Sequence, residues 1–226
     1  MKERDVVAVD GTGAAGKSAC AKVARLLGYA PLDTGMIYRT IALLVLRSGI
    51  DPYDVEFVTR LVISNFGRIS FWNSQLILDG QVVRDEIRVP KVTDIVPYIA
   101  KIPAIRELVV PLQRSFGEEE GLDIIVEGRD IGSVIFPQAR VKIFLTADLN
   151  VRALRRWKQY REKNPAYSGT LKDVIVELNR RDLEDTNRPD SPLKRLPEAV
   201  FIDSTFMSQE EVIQKMLQAC QKPVMA

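Results

Sequence analysis

No histidine occurs anywhere in the 226 residues, which excludes a histidine-based triad and any metal cluster that relies on imidazole. Acid–base chemistry would therefore rest on carboxylates. Cysteine is scarce: the chain has two, Cys20 and Cys220. Cys20 falls on the apolar face of a predicted helix, and both are read as reduced packing residues. An excess of one charge is lacking too, because 32 Lys+Arg against 30 Asp+Glu leave a net charge of +2. No nucleic-acid partner is expected, and any anion recognition must be local. The longest aliphatic run, Ile41 to Leu46, is far too short to span a bilayer. The chain enters its first strand almost at once with no signal-peptide pattern, so a cytoplasmic location without membrane association is expected. There is no internal repeat and no low-complexity segment.

What is present is ordinary globular material, 46% hydrophobic and 27% charged, organised around one stretch. The apolar run Val6 to Val9 leads into Asp10-Gly11-Thr12-Gly13-Ala14-Ala15-Gly16-Lys17-Ser18, and a helical pattern follows. Gly11, Gly16, Lys17 and Ser18 meet the pattern G-x-x-x-x-G-K-[ST], in which each residue type has a physical task. Glycines let the backbone turn tightly enough for successive amides to point inward at an anion. The helix expected to start near Lys17 adds the positive end of its dipole. Lys17 can reach the outer phosphates as a point charge, and the Ser18 hydroxyl is placed to ligate Mg²⁺. Nucleotide binding is expected.

Cys20, Val23, Ala24 and Leu27 recur at helical spacing, and Gly28 caps that helix. A short strand at Ala30 to Leu32 delivers Asp33-Thr34-Gly35. A second helix follows with Ile37, Ile41, Leu44 and Val45 inward, stopped by Gly49 and Pro52. Between Val62 and Arg88 three short strands, Arg68–Trp72, Gln75–Leu78 and Gln81–Val83, are joined through Asn73-Ser74 and Asp79-Gly80, predicting an antiparallel meander inserted into the β-α core. Residues 90–116 predict two helices broken near Pro103, with further prolines at 97 and 111. The acidic stretch Gly117 to Gly121 reads as a loop. Ile124–Val126, Val141–Leu145 and Val200–Ile202 predict buried parallel strands, which makes five. A final helix begins at Ser208, which forms a capping box with Glu211.

A phosphate loop says which ligand is held, not what is done with it. Glu127-Gly128-Arg129-Asp130 directly follows a core strand, so its charges emerge at the carboxyl edge of the sheet beside the phosphate loop. Beyond Lys172, the residues Val174, Leu178, Arg181, Asp185 and Arg188 fall on one helical stripe, apolar at its start and ionic at its end. Arg152, Arg155 and Arg156 make a second basic patch across the polar loop Glu162 to Thr170. Two such arms suit a hinged flap that neutralises charge and excludes water during phosphoryl transfer.

With these motifs in place the chain closely resembles the bacterial-type cytidylate kinases, nucleoside monophosphate kinases of the phosphate-loop class. The likeness runs from the phosphate loop through Asp33-Thr34-Gly35-Met36-Ile37-Tyr38-Arg39, Glu86-Ile87-Arg88, Ile105-Arg106-Glu107, Glu127-Gly128-Arg129-Asp130-Ile131-Gly132, Phe136-Pro137 and Val141 to Leu145. It ends with Arg180-Arg181-Asp182 and Asn187-Arg188. The long insertion and the Glu-Gly-Arg-Asp stretch set the chain apart from adenylate kinases.

The resemblance implies an α/β fold of the P-loop NTPase type: a three-layer sandwich with a five-stranded parallel sheet, a helical lid and an inserted antiparallel-sheet subdomain that binds the nucleoside monophosphate. Residues 1–226 would form one kinase domain, with the insertion at 62–103 and the lid at 152–188. The implied reaction moves the γ-phosphoryl of ATP to CMP or dCMP with Mg²⁺, in pyrimidine nucleotide metabolism, and a monomer is expected. ATP would lie on Gly11, Thr12, Gly13, Ala14, Ala15, Gly16, Lys17, Ser18 and Arg156, with the metal on Ser18. Thr34, Arg39, Arg129 and Arg188 would surround the acceptor phosphate, Arg106 and Asp130 the cytosine edge, and Arg181 and Asp185 the sugar. Lys17, Arg129, Arg155 and Arg188 would carry catalysis, with Arg152, Arg155 and Arg156 in the lid.

One position departs from the pattern. Nine residues before Arg106 the family usually places a serine that contacts the base, and here stands Pro97, which has neither a hydroxyl nor an amide hydrogen. Two rival readings are another small-molecule kinase and a GTP-hydrolysing switch. Asn187-Arg188-Pro189-Asp190 faintly resembles the guanine-binding N-K-x-D pattern, but it follows a charged helix where that pattern needs a core strand.

Overall fold

The computed structural model describes residues 4–72, 75–83, 85–118 and 121–221. In chain order the elements are β1 (Val6–Gly11), α1 (Ala19–Leu27), β2 (Ala30–Asp33), α2 (Gly35–Ser48), α3 (Val55–Asn65), β3 (Ile69–Trp72), β4 (Gln75–Leu78), β5 (Gln81–Val82), α4 (Pro90–Ile99), α5 (Pro103–Ser115), β6 (Ile124–Gly128), β7 (Val141–Thr146), α6 (Leu149–Lys163), α7 (Leu171–Asn187), β8 (Val200–Asp203) and α8 (Gln209–Gln221). They divide between two compact units, one built on Arg4 and Leu32–Asp123, the other on Asp5–Pro31 and the chain from Ile124 onward. β2 carries the chain from the second into the first.

The larger sheet has the order β2-β6-β1-β7-β8. β1 pairs parallel with β6 and β7, and β7 pairs parallel with β8, as the apolar runs predict. The chain leaves β1 toward one side and β7 toward the other, so the carboxyl ends of β1 and β7 flank a switch point where a ligand can sit. One face of this sheet buries Val7, Val9, Ile125, Ile143, Leu145 and Ile202 under α1 and α8, through Cys20, Val23, Val212, Ile213 and Met216. Each such aliphatic side chain contributes roughly 1.5–3 kcal/mol. α1 ends where expected, on Gly28, whose left-handed backbone (φ 74°) lets its amide donate to Ala24 and Arg25. Both cysteines are free and buried, and burial pushes the Cys220 thiol up to about 11. At the opposite edge from the phosphate loop, Arg140 donates to Asp5 (2.8 Å) and to the Cys220 carbonyl (2.9 Å), and Tyr29 donates to the same Asp5 carboxylate.

α6 and α7 form a hairpin of their own. Asp148 caps α6 by accepting from Asn150 and Val151, and Thr170 and Asp173 form a reciprocal capping box on α7. Ala153, Val174 and Leu178 make the shared apolar seam. Trp157 Nε1 donates to the Gly169 carbonyl at 3.0 Å, closing the connecting loop. The Ser208–Glu211 capping box on α8 is present in both directions, at 2.7 and 3.2 Å.

The other unit holds the antiparallel sheet β3-β4-β5. Its second turn, Asp79-Gly80, has φ of 56° and 76°, the conformation a two-residue hairpin favours. The expected turn at Asn73-Ser74 lies outside the described residues, as do positions 119 and 120 of the acidic loop. The meander has no core to itself: Ile69, Leu76 and Leu78 share one cluster with Ile37 and Ile41 of α2, Val58 and Val62 of α3, Ile95 and Ile99 of α4, and Ile105 and Val109 of α5. A three-stranded meander cannot bury both faces, so it recruits four helices. α3 is absent from the sequence reading, and position 62 falls inside it. The break at Pro103 is found as expected, and Pro90 and Pro103 each open a helix at its first turn, where a missing N–H costs nothing.

Two glycines separate steric need from conformational need. A Cβ at Gly11 would stand 1.9 Å from the Leu145 carbonyl oxygen of β7, whereas one at Gly28 would meet nothing within 4 Å. Gly28→Ala should therefore lower stability by about 1 kcal/mol, the cost of left-handed backbone with a side chain. Gly11→Ala must force β1 and β7 apart and should abolish cooperative unfolding or soluble expression. Denaturant titration of the two variants checks the contrast.

Candidate active site

The phosphate loop begins where β1 meets β7. Close approach to Leu145 requires glycine at position 11, and Gly16 turns the chain with φ of 102°. Ala14 is held left-handed at φ 59°. Lys17 is buried, and its Nζ donates to the carbonyls of Gly11 (2.8 Å) and Thr12 (2.7 Å). Burial, then the charge of Arg129, push this ammonium well below the usual lysine range. Ser18 is exposed and stands at the N-cap of α1, yet its hydroxyl caps no amide of that helix. Thr12 and Thr146 hydroxyls are 3.3 Å apart.

Behind the loop, Ser204 Oγ donates to the Ala15 carbonyl at 2.8 Å. Arg155 donates to Ser204 Oγ (3.0 Å), the Ser204 carbonyl (2.7 Å) and the Met207 carbonyl (3.2 Å). This is where the structure places Arg155, one of the residues expected to carry catalysis. Its guanidinium braces the turn before α8 and so the rear of the phosphate loop, because three fixed acceptors there satisfy its planar fork. Arg156, one residue on, keeps a buried Nε with no hydrogen-bond partner and lies 5.8 Å from the centre of the Tyr160 ring.

Beside the loop, Asp10 is buried at the end of β1, and its two carboxylate oxygens accept from the amides of Ile131 and Gly132, each at 2.8 Å. These amides open the π-helical turn Ile131–Ile135 that follows β6. Burial pushes the Asp10 carboxyl up to about 6, with Asp130 adding to the rise and the two amides opposing it. The same turn sets out Arg129 and Asp130, and the tip of α7 meets both. Arg129 Nε donates to Asp185 at 2.7 Å, and Arg188 Nη2 lies 3.3 Å from Asp130. Arg188 Nε is also fixed by the Ser191 carbonyl at 2.6 Å. Burial works to raise the Asp185 carboxyl, but Arg129, Arg181 and Arg188 outweigh it and hold the group below the usual range. Four residues predicted for the acceptor nucleotide, Arg129, Asp130, Asp185 and Arg188, thus stand together in two ion pairs, with Arg181 one turn away. Asn187-Arg188-Pro189-Asp190 follows α7 and no core strand.

The other unit organises a second set. Thr34 is buried at the N-cap of α2, and Arg39 Nη1 lies 3.4 Å from Asp33, whose other oxygen accepts from the Gly35 amide at 3.0 Å. Arg106 of α5 is buried and donates to the Tyr38 hydroxyl at 3.1 Å. Pro97 is buried inside α4.

A family profile described as Cytidylate kinase matches residues 7–222. The chain belongs to the cytidylate kinase family. The cytidylate kinase of Solibacter usitatus (strain Ellin6076) is 39% identical over 217 residues, covering 96% of this chain and 92% of that protein. The cytidylate kinase of Desulforamulus reducens (strain ATCC BAA-1160 / DSM 100696 / MI-1) is 40% identical over 222 residues, covering 96% and 97%. An uncharacterized protein from Eubacterium ventriosum ATCC 27560 has a crystal structure that superposes with a TM-score of 0.55 at 9% identity, over 97% of this chain and all of that one. That likeness shows the fold alone.

Within the cytidylate kinase pattern, sequence reasoning missed the residues that hold others in place. Asp10 opens the stretch that holds the loop motif, with no role of its own assigned from the sequence. A carboxylate at the buried end of an apolar strand is itself a signal, since it must find donors. Tyr38 and Ser204 had no such signal, because their partners lie 68 and 49 residues away in Arg106 and Arg155.

The Asp10 carboxyl gives a signed pH test. The folded protein holds its proton up to about 6 against 3.8 for an ordinary aspartate. A carboxyl whose folded pKa is raised contributes stability that is full below the unfolded value and lost as pH rises through the folded one. The stability of the wild type relative to Asp10→Asn should therefore fall between about pH 4 and pH 7, by on the order of 3 kcal/mol. Urea titrations across that range measure it, and a flat difference would contradict the assignment.

Proposed function

We propose that the chain transfers the γ-phosphoryl group of ATP to CMP or dCMP, giving ADP and the nucleoside diphosphate. One observation carries this reading in a chain of this family. The phosphate loop at the end of β1 and the paired cluster Arg129–Asp185 and Asp130–Arg188 at the end of neighbouring β6 belong to one unit and are joined through Asp10. The first is an anion cradle built from amides, and the second offers two arginines whose carboxylate partners can be exchanged for a phosphate.

In this reading the polyphosphate of ATP lies on the amides of 11–18, with Lys17 at the outer phosphates. Negative charge brought to the loop raises the depressed Lys17 pKa and restores the ammonium where it is needed. Arg156 is the α6 arginine offered to the nucleotide. Ser18 is the one loop side chain suited to Mg²⁺, since its hydroxyl is exposed and not used in capping. Among the described residues no group of three or more Cys, Asp or Glu gathers to hold a metal, so the ion would be shared with ATP. Held by Ser18 and the nucleotide, such an ion would supply positive charge to the phosphates. Thr34, Arg39, Arg129 and Arg188 serve the acceptor phosphate, Arg106 and Asp130 the cytosine edge, and Arg181 and Asp185 the sugar. No general base is required, because the attacking phosphate oxygen is already anionic and positioning with charge neutralisation can carry the rate.

An acceptor panel of CMP, dCMP, UMP and AMP with ATP and Mg²⁺ tests the reading, and turnover of AMP above CMP would overturn it. Calorimetric titration with CMP in the absence of ATP should show binding, which a GTP-hydrolysing switch would lack. Lys17→Ala should retain the native circular dichroism spectrum and lose transfer by about 100- to 1000-fold, the worth of one preorganised charge on the transferring group.

Pro97 supplies a finer test. The 4-amino group of cytosine donates and the 4-oxygen of uracil accepts, so Asp130 favours the first and repels the second. The contact that a serine would add is worth about 0.5–1.5 kcal/mol. CMP should be preferred over UMP, and Pro97→Ser should widen the ratio of their kcat/KM values by at most about tenfold. A ratio unmoved by the substitution would show that α4 does not address the base through this position.

A further inference from the structure

We infer that Arg152 and Asp182 are positioning residues for the phosphate loop, holding the two peptide planes that meet at Gly13. Arg152 Nη1 donates to the Gly13 carbonyl at 3.1 Å, and Asp182 Oδ1 accepts from the Gly13 amide at 3.3 Å. The two side chains are joined to each other, Arg152 Nη1 to Asp182 Oδ2, at 2.6 Å, and Arg152 Nε is anchored on the Ala147 carbonyl at 2.8 Å. Arg152 is 5% exposed.

The Gly13 amide belongs to the Thr12–Gly13 peptide and the Gly13 carbonyl to the Gly13–Ala14 peptide, so the two contacts hold the planes on either side of the Gly13 Cα and with them its φ and ψ. Gly13 needs such restraint. It is the second residue after the end of β1, it carries no side chain to pack, and it precedes Ala14, which sits left-handed at φ 59°. That conformation is unfavourable for a non-glycine residue, so something outside the loop must impose it. A Cβ on Gly13 would lie 3.4 Å from Leu178 Cδ2 and 3.8 Å from Asp182 Oδ1, so α7 packs directly on this residue. Ala14 in turn packs against the seam of the α6–α7 hairpin.

The pair comes from both arms of that hairpin, Arg152 from α6 and Asp182 from α7. The aim of the loop amides therefore depends on how the hairpin is docked. The same α7 turn carries Arg181 and Asp185, so a shift of α7 that re-aims those residues also releases or tightens Gly13. Misplacement of about 1 Å in such a site can cost up to 100-fold in rate.

The inference rests on the phosphoryl-transfer reading for its kinetic readout but not for its binding readout. Removing one member of a buried pair strands the other's charge, so the informative variants are the near-isosteric Asp182→Asn and the double replacement Arg152→Met with Asp182→Leu, which leaves no unpaired charge. For each, Mg-ATP affinity is measured by titration calorimetry, KM for ATP and for CMP by coupled assay, and melting temperature by calorimetry. The expected result is Mg-ATP binding weakened tenfold or more, KM for ATP raised in step, and KM for CMP within about twofold. Arg152→Lys should recover only part of the affinity, since an ammonium cannot reach three acceptors in a plane. A pair with a merely structural role would lower the melting temperature and leave ATP affinity at the wild-type value in protein still folded, and that outcome overturns the inference. If the wild type binds Mg-ATP but phosphorylates neither CMP nor dCMP, the acceptor assignment falls and the loop inference is still decided by the affinities.

Discussion

The carboxylate of Asp10 is the constraint on which the functional half of the molecule depends. It sits at the end of the central strand, out of water, and its two oxygens are each taken by a backbone amide of the turn after β6. One side chain thereby fixes the start of the phosphate loop to the turn that sets out Arg129 and Asp130. A hydroxyl or a side-chain amide has one oxygen where the carboxylate has two, so neither gives each backbone amide an acceptor of its own. The cost of burying the carboxyl appears in its raised pKa, a destabilisation tolerated where two functional segments must keep a fixed separation.

Around that anchor, charges are arranged in pairs and not as a basic surface. Arg129 with Asp185, Arg188 with Asp130, and Arg152 with Asp182 bring together three arginines and three carboxylates beside the loop. Buried pairs of this kind add little to stability, because desolvation offsets the attraction. Their use is orientation. The guanidinium planes are held in one geometry before any ligand arrives, and a phosphate can replace a carboxylate without a new charge being buried. A chain with a net charge of +2 thus places three guanidinium groups beside one loop, each with a carboxylate partner.

Arginines on one helix take different employment from residue to residue. Arg152, Arg155 and Arg156 read as one basic patch, yet the first holds Gly13, the second holds the turn at Ser204 and Met207, and the third lies near Tyr160. Their spacing of three and four residues places them on neighbouring faces of α6, and what each meets is decided by segments far away in the chain.

Local chemistry determined a good deal from the sequence alone. The parallel strands were legible because continuous apolar runs have one use in a β-α chain. The helix ends were legible where Gly28, Ser208 with Glu211, or an initial proline satisfies orphan backbone groups through near neighbours. The phosphate loop was legible because its amide cradle is formed within nine consecutive residues. α3 was missed, since its apolar residues are split between the shared core and an exposed face where Val55, Phe57 and Ile63 are each more than half exposed. Only the tertiary structure decided that Asp10 ties two strands' ends together, that Tyr38 fixes Arg106, that Arg155 is a brace, and that Arg152 and Asp182 grip Gly13 by its amide and its carbonyl. Each of these is a hydrogen bond between residues tens of positions apart or more, and a donor's identity says nothing about its acceptor until packing has brought the two within hydrogen-bonding distance.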